Sequence, residues 1–235
     1  MLRSVTLLAV CLPAAACGLP GDPGNTYAQA RGGQMHVGVI DHEPWTVVED
    51  GEVVGGVETR LATEFGGSID AEVVFHPGTE SELASAAHRF ELDLIIGGLT
   101  TKSPSGSNIA MSPPYLTERV IVAAPAGVAL VEELGGEVVA YRSDERALAA
   151  YIRDKGGSPR PVEDLRAVSS GGRTLVAVPA WEADGRGLRP TPVTLVEHKH
   201  VLAVPPGENR MLLELAEFLD LHGAAVRERL PGGGR

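Results

Sequence analysis

Cysteine, aromatic residues and positive charge are all scarce in this chain of 235 residues. Its two cysteines are Cys11 and Cys17. We expect Cys11 to be removed with an amino-terminal signal, so the mature chain can form no internal disulfide. The 31 acidic residues outnumber the 20 basic ones, which gives a formal net charge of −11. Such a charge disfavours nucleic acid as a partner, so we expect none.

Sequence motifs of the common enzyme classes are absent as well. The chain has no phosphate-binding loop, dinucleotide fingerprint, nucleophile elbow or metalloprotease helix. His198 and His200 alternate on a predicted strand and could share a zinc ion, but no third ligand is evident in the sequence. We therefore expect no catalysis, no cofactor and no metal.

The amino terminus has the pattern of an export signal. Arg3 precedes an apolar run at 5–12, and three alanines at 14–16 lead to Cys17. This pattern resembles the bacterial lipobox, in which a peptidase cuts before the cysteine and the thiol then carries diacylglycerol. The resemblance implies a signal peptide at 1–16, lipidation of Cys17 and a polar tether at 17–33. The alternative is an ordinary secretory signal that leaves a soluble protein.

Strand and helix patterns alternate from residue 35 onward, as a mostly parallel α/β sheet requires. The apolar run at 92–96 is too short for a helix and has the composition of a strand that is buried on both faces. The predicted strands lie at 37–40, 71–75, 92–96, 120–124, 138–141, 175–178, 192–196 and 200–204.

Four helices are predicted from apolar spacing and capping residues. The glycine pair 66–67 should end the first helix. Thr79 and Glu82 form a capping box that opens the second, which we expect to bury Phe90. Ser143 supplies a capping hydroxyl for the third. The predicted helices begin near residues 57, 79, 143 and 209, and the last should extend to about 221.

The most informative segment is 92–116, LDLIIGGLTTKSPSGSNIAMSPPYL. A buried strand opens there into a loop with Gly98 and Thr100, and Trp45 follows Pro44 after the first strand. In an open α/β sheet, small ligands bind at the edge where such loops leave the strands. These segments resemble the family 3 extracellular solute-binding proteins, the ligand receptors of polar amino-acid uptake transporters.

The resemblance implies a two-lobed α/β fold of the periplasmic-binding-protein type II, with the ligand cleft between the lobes. It places the first lobe at 34–124 and 197–230, and the second lobe at 125–196. The chain should cross between the lobes near 123–127 and 195–199, which would form the hinge. Residues 231–235 should be a disordered tail.

The resemblance also assigns ligand contacts in the first lobe. Trp45 would form one wall of the ligand clamp, and Gly98 and Thr100 would hold the ligand's ammonium and carboxylate. Glu80 would face the cleft and suit a positively charged ligand group. The alternative for Glu80 is a surface acid that only improves the start of its helix.

The remaining candidate contacts depart from the family pattern. The family usually has an arginine fork for the ligand carboxylate, where this chain has Ser105, and Lys102 is the nearest cation. In the second lobe, Ser143 would begin an anion-binding helix, and Glu182 is the acid nearest to the family's ammonium-binding aspartate.

Together these features predict a monomeric solute-binding lipoprotein in the periplasm or on the outer face of the cytoplasmic membrane. It would deliver a small polar, amino-acid-like molecule to the membrane subunits of an ABC transporter. One alternative is a periplasmic dehydratase-like enzyme on the same fold, which would need a general acid and a base such as Glu80 and Lys102. The other is a ligand-sensing module.

Lipidation of Cys17 can be tested by substitution. We expect Cys17→Ser to release the mature protein from the membrane or to trap its precursor, because serine cannot carry the thioether-linked lipid. Membrane fractionation and gel mobility would measure both effects. Cys11→Ser is the matched control and should behave as wild type. Unchanged fractionation and processing of Cys17→Ser would contradict the lipobox prediction.

Overall fold

The computed structural model describes residues 21–169 and 174–230. The predictions for the signal peptide, for Cys17 and for the tail at 231–235 lie outside these residues. Within them, no helix is both long and apolar enough to cross a membrane. The strands are β1 Gln34–Val39, β2 Val47–Glu49, β3 Glu52–Gly55, β4 Glu72–Pro77, β5 Leu94–Ile96, β6 Ala110–Met111, β7 Leu116–Ala124, β8 Val138–Arg142, β9 Ser158–Val162, β10 Leu175–Pro179, β11 Arg189–His200 and β12 Ala203–Val204. The helices are α1 Thr26–Ala30, α2 Val57–Ser68, α3 Glu80–His88, α4 Leu148–Asp154, α5 Leu165–Ser169, α6 Ala180–Gly185 and α7 Asn209–Arg229.

The first sheet has the strand order β4-β1-β5-β12-β6, and β1 runs parallel to both β4 and β5. Leu94 and Ile96 of β5 belong to a core cluster shared with α2 and α7, whereas Ile95 belongs to a cluster shared with α3. All three side chains are buried, so the prediction of a strand covered on both faces is confirmed. We call this sheet with α1, α2, α3 and α7 the first lobe.

The second sheet has the strand order β11-β7-β10-β8-β9, in which β8 runs parallel to β9 and β10. Helices α4, α5 and α6 connect and cover its strands. Two apolar clusters, one on each face, form its core. We call this sheet with its three helices the second lobe.

Two long strands connect the lobes. β7 and β11 pair in antiparallel fashion, from Leu116 opposite His200 to Ala124 opposite Arg189. His200 also bridges to Thr100 of the first lobe, whereas Val120 at the other side already pairs with β10. The crossings therefore lie near 116–119 and 197–200. The second overlaps the predicted crossing at 195–199, but the first lies before the predicted 123–127, because the apolar run at 120–124 does not reveal which sheet it joins.

Part of the segment that we expected to be a tether packs onto the first lobe. α1 buries Thr26 and Ala30, and the Glu208 carboxylate before α7 accepts hydrogen bonds from the Thr26 N–H at 2.8 Å and the Thr26 hydroxyl at 2.9 Å. The polar composition of this segment predicts an exposed tether. The segment nevertheless packs on the lobe, because Glu208, which is distant in sequence, accepts hydrogen bonds from Thr26. The prediction of a tether reaching residue 33 is therefore wrong for this part.

The capping box is confirmed: Thr79 is the N-cap of α3, and its side chain and that of Glu82 exchange hydrogen bonds with the backbone as predicted. Other helix predictions need correction. α3 ends at His88, so Phe90 leaves the helical periodicity and is 38% exposed. α4 begins at Leu148 rather than at Ser143, and α7 continues to Arg229.

The glycine pair 66–67 lies inside α2 instead of ending it, since the helix continues to Ser68. A Cβ atom added to Gly66 would lie closer than 3.0 Å to the Val73 side chain of β4, whereas one added to Gly67 would meet nothing within 4 Å. Gly66 therefore permits close packing of the helix on the sheet.

This difference predicts opposite effects of the same substitution at neighbouring positions. Gly66→Ala should destabilise the protein by about 1–3 kcal/mol through overpacking. Gly67→Ala, the matched control, should stabilise it by about 0.5–1 kcal/mol, because alanine favours the helix. Thermal unfolding would measure both, at about 2–4 °C per kcal/mol for this chain length. Equal shifts would contradict the packing explanation.

Candidate functional site

A cavity of about 450 Å³ lies between the two lobes. The loops after β1 and β5, the crossing strands and the segments after β8 and β10 surround it, so both lobes turn the carboxyl ends of parallel strands towards it. The lining residues are His42, Glu43, Pro44, Trp45, Gly98 and Thr100 from the first lobe, Glu118, Val120, His198 and His200 from the crossing strands, and Arg142, Asp144, Glu145, Arg146, Ala147, Leu148, Tyr151, Leu165, Ala177, Pro179, Trp181 and Glu182 from the second lobe.

Trp45, predicted to be a wall of the ligand clamp, lines the cavity and is 3% exposed. Its ring packs against the His200 ring, with the centroids 3.9 Å apart and the planes tilted by 30°. The Trp45 carbonyl accepts a hydrogen bond from the Glu58 N–H at the start of α2, at 2.8 Å. The helix start and the crossing strand thus fix the indole from two sides.

Glu58 organises the first-lobe wall from behind, although it does not line the cavity. Its fully buried carboxylate accepts hydrogen bonds from the Gly97 N–H at 2.6 Å, the Gly98 N–H at 3.0 Å and the Tyr115 hydroxyl. Burial and the nearby Glu58 carboxylate raise the pKa of Tyr115 well above its ordinary value, which keeps this phenol a donor. The sequence did not reveal Glu58, because an acid in the first turn of a helix is commonplace.

Gly98, predicted to hold the ligand, lines the cavity, but its N–H is already bound by Glu58. Its φ is 69°, and a Cβ atom there would lie 2.5 Å from both His42 Nδ1 and Trp45 Cδ1. Glycine is therefore required for the loop to lie against the indole. Of the Gly98 backbone, the carbonyl remains for a ligand rather than the amide N–H.

The other first-lobe candidates separate into two groups. Thr100 lines the cavity, and its hydroxyl accepts a hydrogen bond from the Lys102 N–H at 3.2 Å. The Lys102 side chain is exposed and does not line the cavity. Glu80 does not line it either, since its carboxylate accepts a hydrogen bond from the Ser105 N–H at 3.0 Å and ties that loop to the start of α3.

In the second lobe, Glu182 lines the cavity and its carboxylate pairs with the Arg186 guanidinium at 2.6 Å. Ser143 is exposed in the turn after β8, and its N–H donates to the Val162 carbonyl at 2.9 Å. It neither caps a helix nor lines the cavity, so the predicted anion-binding helix start is not formed. Its neighbours Arg142 and Asp144 line the cavity instead.

The floor of the cavity is a hydrogen-bonded chain that the sequence did not reveal. The Trp181 Nε1–H donates to Glu118 Oε1 at 2.7 Å, and His200 Nε2 lies 3.3 Å from Glu118 Oε2. The Glu118 side chain is 9% exposed. Burial opposes ionisation of this carboxyl, but the hydrogen bonds from His200 and Trp181 lower its pKa below the ordinary value. Trp181 also packs against the core of the first lobe, so it spans the two lobes.

His198 and His200 both line the cavity, which agrees with their expected placement on one strand face. Burial lowers the pKa of His198, although the nearby Glu118 charge opposes this. Among the residues at 21–169 and 174–230, no group of three or more His, Cys, Asp or Glu side chains is arranged to hold a metal ion.

The role of Glu58 predicts a large cost of its removal. Glu58→Ala should lower the free energy of unfolding by at least about 3 kcal/mol, because three buried donors would each lose a partner worth about 1–3 kcal/mol. Glu64→Ala in the same helix removes a partly exposed ion pair with Arg229 and should cost no more than about 1 kcal/mol. Urea denaturation would compare them, and equal losses would contradict this role.

Solved structures of similar architecture share the fold at low sequence identity. The L-cystine solute receptor of Neisseria gonorrhoeae, in an unliganded open conformation, matches with 14% identity and a TM-score of 0.71 over 88% of this chain and 97% of that chain. A Wolinella succinogenes protein described as a binding component of an ABC transporter, complexed with lysine, matches with 17% identity and a TM-score of 0.60 over 85% and 96%. The ancestral amino acid-binding protein AncCDT-1, a precursor of cyclohexadienyl dehydratase, matches with 16% identity and a TM-score of 0.61 over 87% and 98%.

These likenesses confirm the predicted two-lobed fold of the periplasmic-binding-protein type II. None of the curated proteins compared with the sequence is significantly similar to it. The model of the bacterial extracellular solute-binding proteins, family 3, matches residues 35–221, which is most of the chain. The protein therefore belongs to the bacterial extracellular solute-binding proteins of family 3.

Proposed function

We propose that the protein captures a small polar molecule between its two lobes and delivers it to the membrane subunits of an ABC transporter. The observation that carries this proposal is the cavity of about 450 Å³, to which both lobes and both crossing strands contribute side chains. A cavity of this size suits a small metabolite, and polar side chains interrupt its apolar walls.

Closure of the lobes about the crossing strands is the mechanism that this architecture supports. The first lobe presents Trp45 and Thr100, the second presents Arg142 and Glu182, and the two groups are linked by one antiparallel pair of strands. A ligand that contacts both groups stabilises the closed arrangement by its differential affinity for it. No covalent bond needs to change in this process.

The chemistry of the solute is supported by similar proteins. The Neisseria receptor is named for L-cystine, and the Wolinella protein was solved with lysine. Both ligands are small, polar and charged. We extend only this general character to the present cleft, because its polar lining differs from an amino-acid site in lacking a first-lobe arginine or lysine among the described residues.

The family is extracellular, so we place the protein outside the cytoplasm. A lipid on Cys17 would hold it at the outer face of the cytoplasmic membrane. The monomer is the expected form, since one chain supplies both walls of the cavity.

A dehydratase is the second candidate, because similar folds include the ancestral cyclohexadienyl dehydratase AncCDT-3(P188L) as well as the precursor AncCDT-1. The acid and base that we predicted for it, Glu80 and Lys102, do not line the cavity. Glu145 does line it, and burial raises the pKa of this carboxyl, as a general acid requires. Turnover of a cyclic hydroxy acid by the purified protein would favour the enzyme over the binding protein.

Solute binding can be tested by a thermal-shift screen of amino acids, opines, polyamines and small organic acids. A ligand present at a hundred times its dissociation constant should add about 2.7 kcal/mol to the free energy of unfolding. For a chain of this size, the melting temperature should rise by about 5–10 °C. Trp45→Ala should weaken binding of the identified ligand more than tenfold, which corresponds to a loss of about 1.4 kcal/mol in the free energy of binding.

Leu221→Ala is the control for Trp45→Ala, since this exposed leucine lies on α7 and does not line the cavity. It should leave the affinity unchanged. Equal affinities of Trp45→Ala and wild type would show that the ligand does not bind at Trp45. A screen in which no compound stabilises the protein would contradict the binding function.

A further inference from the structure

The charges around the cavity are unequal. Its lining contains five carboxyl groups and two guanidinium groups, and Arg186, which does not line it, pairs with a single one of these carboxylates, that of Glu182, at 2.6 Å. Arg142, one of the two cations, is engaged by acids of the same turn, with 3.5 Å from its Nε to Asp144 Oδ1 and 3.3 Å from its Nη2 to Glu145 Oε1. The field in the cleft therefore favours a positively charged solute. The carboxyl groups belong to Glu43, Glu118, Asp144, Glu145 and Glu182, and the guanidinium groups to Arg142 and Arg146.

The free hydrogen-bonding group on the floor is His200 Nδ1, which is an acceptor when the ring is neutral. An ionised Glu118 can only accept, so the His200 nitrogen beside it, Nε2, carries the proton that it donates. In a neutral ring, Nδ1 is then an acceptor. This atom is buried and has no partner among the described residues, and the His200 side chain is only 3% exposed. A buried acceptor without a partner is unfavourable, so a solute with N–H groups would complete the floor.

The aromatic groups suit the same kind of solute. Trp45 and Trp181 line the cavity from opposite lobes, and they are the two tryptophans of the chain. Tryptophan has the most favourable ring face for an ammonium or guanidinium group. One face of Trp45 is covered by His200, the Gly98 loop lies against the indole and the residue is 3% exposed, so the partly exposed Trp181 offers the solute the more accessible ring.

We propose that the solute is an organic cation with N–H donors, such as a protonated amine, amidine or guanidine, and that a carboxylate on it is not required. This inference rests on the proposed function and names its ligand class. The Glu118 carboxylate and the Trp181 ring bind the cationic group. Lys102, the first-lobe cation nearest in sequence to the position of the family's carboxylate-binding arginine, does not line the cavity.

Matched probes that differ by one carboxyl group test the ligand class. Calorimetry of the mature protein at neutral pH should compare agmatine with arginine, cadaverine with lysine, and glutamate as an anionic probe. Agmatine or cadaverine should bind no more than tenfold more weakly than its amino acid, and glutamate at least a hundredfold more weakly than the tightest cation. A larger loss on removal of the carboxyl group, or comparable binding of glutamate, would overturn the ligand class and leave the solute-binding function intact. If none of these probes binds but the wider screen finds another solute, the ligand class alone is overturned. If the screen also finds no solute, the ligand class and the solute-binding function are both overturned.

Three variants locate the cation. Glu118→Gln keeps the shape of the side chain and removes its charge, so agmatine should bind at least tenfold more weakly. Glu197→Gln, on an exposed position of β11 outside the cavity, is the matched control and should stay within twofold of wild type. Arg146→Gln removes an exposed positive charge of the lining and should bind agmatine more tightly.

The sign of the Arg146→Gln effect keeps the test decisive even if Glu118→Gln fails to fold, because exposed Arg146 is not part of a core cluster. Weaker agmatine binding by Arg146→Gln would show that the cleft uses this cation to bind an anionic group. Unchanged agmatine binding by a folded Glu118→Gln would show that the cationic group of the solute does not bind at Glu118 on the floor of the cavity. Either result contradicts the inference.

Discussion

The hydrogen bonds to the buried Glu58 carboxylate are the constraint on which the cleft depends. They join the start of α2, the exit of β5 through Gly97 and Gly98, and Tyr115 immediately before β7. A buried carboxylate is tolerated only when donors surround it, and here the three donors lie 39 to 57 residues from Glu58 in the sequence. The same residue holds the Trp45 carbonyl through its own N–H. One residue thus holds the loop and the start of the crossing strand through its side chain, and the backbone of Trp45 through its N–H.

The floor of the cleft is coupled to that arrangement through His200. Its ring packs against Trp45 of the first lobe, and its Nε2 reaches Glu118, which in turn receives the Trp181 indole N–H from the second lobe. The walls of the site are therefore connected by polar contacts, and relative movement of the lobes must alter at least one of them. The side chains that we propose to bind the solute are therefore also the ones that connect the two lobes.

The sequence predicted most strands and the capping box, and it located the loops that carry Trp45, Gly98 and Thr100 after their strands, since apolar periodicity and Gly-rich strand exits are local signals. It did not predict Glu58 or Glu118. Each is a single acid whose function depends on partners 39 to 82 residues away in the chain, and no local pattern records such partners. Glu80 was misleading for the converse reason: a capping-box position resembles a cleft position in sequence, and only the fold shows that its carboxylate binds the Ser105 N–H.

The docking of residues 22–30 on the first lobe has a mechanical consequence. The Asp22 carboxylate accepts from the Arg210 N–H and Glu208 holds Thr26, so the amino-terminal segment is fastened to the base of α7. Four residues separate Cys17 from Asp22, and the five steps between their Cα atoms span at most about 17 Å in a fully extended chain. With a lipid on Cys17, the first lobe would be held close to the bilayer surface, at a distance comparable to the thickness of the headgroup layer. The second lobe would be attached to the membrane only through the first lobe. It would therefore be the lobe that moves relative to the bilayer.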